Sequence, residues 1–174
     1  MFIDPIYECV TMPQVRKEVF QTTRFKHKYP WRINFKTNLK ALGTSDIYTD
    51  EFSLYYEVID NLVRSGTLNN ITGFEFNLSH VDKEIAACAL AHLFSITTTD
   101  KDLLAFINQE FSDSSTETIS PLGLINASLK NEFIECDSDL IHILEDWDKC
   151  GEARQPRRDI EVFEEITEVT YPGH

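Results

Sequence analysis

Residues 79–102, SHVDKEIAACALAHLFSITTTDKD, decide how the rest of the chain is read. Ser79 is a good helix N-cap, and Asp82 follows at the spacing of a capping box. Ile85, Ala86, Ala89, Leu90 and Leu93 then recur at helical intervals. Alanines at 86, 87, 89 and 91 keep that helix slim enough to lie close against a sheet. Residues 95–99 are short and β-branched, which predicts a strand. Asp100 ends the strand and can cap a helix over about 101–109. Carboxylates from a helix start and a strand end can converge outside the carboxyl edge of an α/β sheet, where ligands bind.

Upstream, residues 1–12 read as extended, with Pro5 holding Asp4 out of the helical region. Pro13 opens a helix in which Val15 and Val19 share a face and Glu18 stands beside it. Residues 21–45 interleave Arg24, Lys26, Lys28, Arg32, Lys36 and Lys40 with Phe25, Tyr29, Trp31 and Phe35. Such a mixture can hold phosphates by charge and stack unpaired bases on its rings, so Arg24, Lys26, Lys28, Trp31 and Arg32 are candidate RNA contacts. It can equally be a peripheral loop whose rings cap the core, or a surface for a protein partner. Residues 46–65 carry Phe52, Tyr55, Tyr56, Ile59, Leu62 and Val63 three and four apart, a helix with Gly66 as its stop. The connection 68–78 turns at Gly73 and is expected to rest Ile71, Phe74 and Phe76 on the core.

Downstream, 112–120 is a polar link without apolar period. Helices are expected from Pro121 to about 131, over 139–148, and over 160–169. The four cysteines (Cys9, Cys88, Cys136, Cys150) are scattered, which argues against zinc or a disulfide framework. No apolar run is long enough to span a membrane and no signal-peptide pattern opens the chain, so a cytoplasmic setting is expected. There is no glycine-rich phosphate loop, nucleophile elbow or H-x-x-x-H pair.

The net charge of −13 is unevenly spread. Residues 1–40 hold eight Lys/Arg against three Asp/Glu, and the remainder holds eight against twenty-six. The acidic bulk opposes diffuse nucleic-acid binding, so any RNA must meet the basic segment locally.

Three features resemble the PIN-domain nucleases, over roughly residues 10–20 and 75–107: Glu18 in V-R-K-E-V after a proline, Asp82 near the start of a small-residue helix, and Thr99-Asp100 with Asp102 in TTTDKD. The resemblance implies an α/β, PIN-like three-layer fold, a short parallel sheet flanked by helices, over residues 1–111. A helical C-terminal extension, 112–174, would pack on it. The implied activity is metal-dependent hydrolysis of RNA by an endoribonuclease. Mg²⁺ or Mn²⁺ would be held by Glu18, Asp82 and Asp100, with Asp102 as a further catalytic acid and Glu84 in reserve. Hard cations take such oxygen ligands and activate water against a phosphodiester. The family also opens with a strand ending in Asp, well before this Glu. Here the chain begins too late for that layout: either the first acid is absent, or Asp4 takes a similar place as the substitute candidate, or the start of this sequence is not the family's start. Many small members of the family are toxins held by an antitoxin, which implies a protein partner; a homodimer is compatible too. The alternative is a catalytically degenerate PIN-like module that binds protein or RNA without cutting it.

Each acid also has a purely structural reading. Asp82 can complement the helix dipole, Asp100 can be only an N-cap, and Asp102 can occupy an acid-favouring first turn. Glu18 and Glu84 can face solvent, and Asp4 can be a turn residue before Pro5.

Overall fold

The computed structural model describes residues 9–37, 39–150 and 154–173. The chain is mixed α/β but mostly helical, with a two-stranded parallel sheet. It divides into two compact units, Val10–Thr118 and one that takes in Ile119–His174.

In the first unit, helix α1 (Pro13–Gln21) starts on Pro13, whose missing N–H costs nothing at a first turn. It is followed by α2 (Thr23–Lys28) and a 3-10 turn (Pro30–Phe35), so the chain breaks at Tyr29-Pro30. Thr11 and Ala41 form an isolated parallel bridge that closes this basic segment on itself. The helix expected from residue 46 begins later. A short α3 (Thr44–Ile47) precedes α4 (Asp50–Arg64) because Thr49 Oγ1 takes the N-cap role, accepting from Phe52 N–H at 3.1 Å. Beyond α4, Gly66 sits at φ +76°, the left-handed position where an L side chain is strained.

The central helix α5 (His80–His92) carries both halves of the expected capping box. Its Ala86, Ala87, Cys88, Ala89 and Leu90 are all buried, and α4 is its main neighbour. The strand expected over 95–99 shrinks to β1 (Ile96–Thr97). Thr98 Oγ1 accepts from Asp100 N–H at 3.1 Å and turns the chain into α6 (Lys101–Glu110). The partner strand β2 (Thr118–Ile119) lies in the stretch read as a structureless link. Its polarity hid it: a two-residue strand has no apolar alternation to show. The core of this unit runs through Ile47, Phe52, Ile59, Phe76, Leu90, Leu103 and Phe106.

The second unit is built from α7 (Pro121–Lys130), α8 (Ser138–Lys149) and α9 (Arg157–Thr167) around Leu122, Ile125, Leu144 and Phe163. Ser120 caps α7 and is itself bonded to Asp159 of α9, while Asn126 donates to the Asp159 carbonyl at 2.8 Å. Among the described residues no helix is long and apolar enough to cross a membrane.

Candidate functional site

The acids singled out by sequence are placed one at a time. Asp82 Oδ2 accepts the Ser79 N–H at 2.9 Å while Ser79 Oγ accepts the Asp82 N–H at 3.2 Å, so this carboxylate closes the first turn of α5. Asp100 is the N-cap of α6, with Oδ1 accepting from Leu103 N–H at 2.9 Å. Asp102 lies in the first turn of α6, and its Oδ1 is 3.4 Å from the donating Nδ2 of Asn69. Glu18 is exposed on α1. Asp4 lies outside the described residues. Among the described residues, no three His, Cys, Asp or Glu side chains form a group that could hold a metal ion. The acids expected to hold Mg²⁺ or Mn²⁺ are thus not gathered into one group among the described residues.

Glu84, the reserve acid, is buried rather than solvent-facing, at 5% exposure. Its Oε1 accepts from the Tyr48 hydroxyl at 3.1 Å, and its Oε2 from Gln14 Nε2 at 3.0 Å. His80 Nε2 lies 3.6 Å from Oε1, one turn earlier on α5, and His80 Nδ1 is 2.7 Å from the Tyr56 hydroxyl. The carboxylate thus ties α5 to α1 and to the end of α3, and His80 links the same corner to Tyr56 of α4. Among the described residues, Gln14 Oε1 is buried without a partner. No helical or strand period marks this Glu. The only signal was its place on the buried side of an Ala-rich helix.

Lys83, between Asp82 and Glu84, donates to Asp60 Oδ1 of α4 at 2.8 Å, and Arg64 pairs with Oδ2 at 3.0 Å. The Lys83 hydrogen bond holds the Asp60 carboxyl below its ordinary range. Partial burial opposes that shift more weakly, and the charges of Lys83, Arg64 and His80 add to it.

In the basic segment, Arg32 is buried and donates to the carbonyls of Val19 and Tyr29, so its guanidinium satisfies chain ends instead of facing solvent. Lys28 carries its ammonium over the Tyr29 ring at 5.3 Å. Lys26 is exposed. The side chains of Arg24 and Trp31 lie outside the described residues. Arg16, not among the expected contacts, clamps the carbonyls of Lys36 and Leu39, each at 2.9 Å.

The connection expected to turn at Gly73 does so, between Leu68 and Glu75, and an isolated antiparallel bridge closes it. Asn69 is buried beneath it. Its Oδ1 accepts from Ile71 N–H at 2.9 Å and Thr72 N–H at 3.3 Å, its backbone N–H donates to Phe74 O at 2.8 Å, and its carbonyl accepts from Gly73 N–H at 2.8 Å. Gln109 of α6 braces the same turn, accepting from Asn70 N–H and donating to the Leu68 carbonyl, both at 2.9 Å. Phe76 does enter the core, but Ile71 and Phe74 are 84% and 77% exposed. The reversal at Gly73 (φ +74°) carries them outward. The Asn-Asn…Gly pattern was the available signal for such a turn.

Comparison with known proteins finds no matching family model, no matching curated protein and no matching solved structure.

Proposed function

We infer that this chain is a PIN-like binding module that recognises a partner without cutting RNA. The observation that carries the reading is the employment of its acids. Asp82 and Asp100, the two expected metal ligands on the central unit, each give a carboxylate oxygen to the backbone N–H of their own helix start. Glu84, the most buried acid of the set, is engaged by Tyr48 and Gln14. The order α5–β1–α6–β2, with Asp100 closing the strand and capping the next helix, supports the PIN-like part of the reading.

The test is titration of Mn²⁺ into metal-free protein by calorimetry, alongside incubation with end-labelled RNA. Asp82→Asn/Asp100→Asn is the control. Asn caps α6 about as well as Asp does, and at position 82 its side-chain oxygen can still accept the Ser79 N–H, so this variant keeps its fold. The expected result is no saturable Mn²⁺ binding and intact RNA. Saturable binding that the variant loses, together with RNA cleavage, would overturn the reading in favour of the metal-dependent ribonuclease.

A further inference from the structure

We propose that the turn from Leu68 to Glu75 is a protein-docking knob, and that its partner is a folded protein with an apolar pocket rimmed by Lys and Arg. The inference goes beyond the preceding reading and stands whether or not the chain cuts RNA.

Water-exposed apolar side chains gain nothing for the fold, yet this turn is heavily engineered to hold two of them outward. Ile71 and Phe74 are the two most exposed large apolar residues among those described. Their backbone is fixed by the buried Asn69 side chain, by Gln109 from α6 and by Phe76 N–H donating to Thr67 O at 3.1 Å. A turn ordered in advance loses little conformational entropy when it binds, which is the property that lets a few apolar anchors carry an interface. The charge around the base decides the occupant. Asn69 rests on Asp102, Gln109 is bonded to Glu110 at 2.7 Å, and Glu75 ends the turn. Carboxylates so placed repel RNA phosphates and anionic lipid headgroups, and they complement a basic rim around an apolar pocket.

The experiment replaces Phe74 by the photocrosslinking analogue p-benzoylphenylalanine in the full chain. The protein is made in its own cells, irradiated, and its adducts are mapped by mass spectrometry. The proposal expects an adduct to a protein, at apolar residues flanked by Lys or Arg. With that partner purified, Ile71→Ser/Phe74→Ser should lower affinity at least about 30-fold. The thermal midpoint should stay unchanged, since neither side chain is packed. Glu75→Lys should slow association, and added salt should shrink that difference. Adducts to RNA, to lipid or to a second copy of this chain would overturn the proposal. So would the absence of any adduct, a contact surface rimmed by acids, or an affinity indifferent to the double change.

Discussion

Asp82, Lys83 and Glu84 are consecutive on α5, but their side chains report on three different scales of structure. Asp82 speaks only to Ser79, three residues away. Lys83 reaches α4 at its edge and pairs with Asp60, both side chains about one-seventh exposed (15% and 14%). Glu84, itself buried, reaches residues 70 and 36 positions back, Gln14 and Tyr48. The comparison teaches that proximity to a candidate acid motif says little about an acid's work. The energetic weight should rise steeply from the first turn of the helix to the second, because desolvation makes each unpaired polar group costlier.

The largest expected effect is therefore at Glu84. Glu84→Ala would take away the acceptor shared by the Tyr48 hydroxyl and the Gln14 amide, leaving them only their own 3.3 Å contact, and would open a hole where α5 meets α1 and the end of α3. A loss of about 3 kcal/mol in urea unfolding is expected. Glu84→Gln keeps the volume and one acceptor, and should lose roughly half of that. If Glu84→Ala costs no more than a cap substitution, the contrast between the two turns is broken. The capping box gives the middle-sized effect. Ser79→Ala should cost about 1 kcal/mol, whereas Asp82→Asn should be close to neutral. A double change at both positions should cost less than the sum, since the two hydrogen bonds close one reciprocal turn.

What the sequence made legible follows the same scale. Helix starts at Pro13, Ser79, Asp100 and Pro121 were readable because a cap or an N1 proline acts on neighbours within four residues. The stop at Gly66 was readable for the same reason. The structural roles of Asp82 and Asp100 at their helix starts are readable in the sequence beside metal binding, and those local roles are the ones the side chains occupy. Long-range placement was not readable. Nothing near Arg32 in the sequence says that Val19 and Tyr29 would present carbonyls to it. The Asn-Asn…Gly pattern around Ile71 and Phe74 announces a turn, but not that it would aim both side chains away from a core that Phe76 enters two residues later. The strand β2 escaped because a polar two-residue pairing is defined by its partner alone: Ile96 N–H donates to Glu117 O at 2.8 Å across the α6 crossover.

The smallest expected effect concerns the residue between the two extremes, and its sign follows from the direction of one shift. Asp60 is held below its ordinary carboxyl range chiefly by the hydrogen bond from Lys83. Its folded-state pKa is thus lower than its unfolded one, so the unfolded chain binds the proton more readily. The pair's stabilisation is fully present above the unfolded value, near 3.8, and fades as pH falls through the depressed folded value. Both groups keep some solvent contact, so the contribution is modest and screened by salt. Asp60→Asn removes the titrating group. It should flatten a small part of the acid limb of the stability curve, leaving the neutral-pH fold intact and the effect weaker in high salt. An acid limb unchanged by Asp60→Asn would mean that Lys83 holds α4 to α5 through its methylenes rather than its charge. The middle step of the gradient along α5 would then be one of packing, and only the step to Glu84 would rest on a charged group.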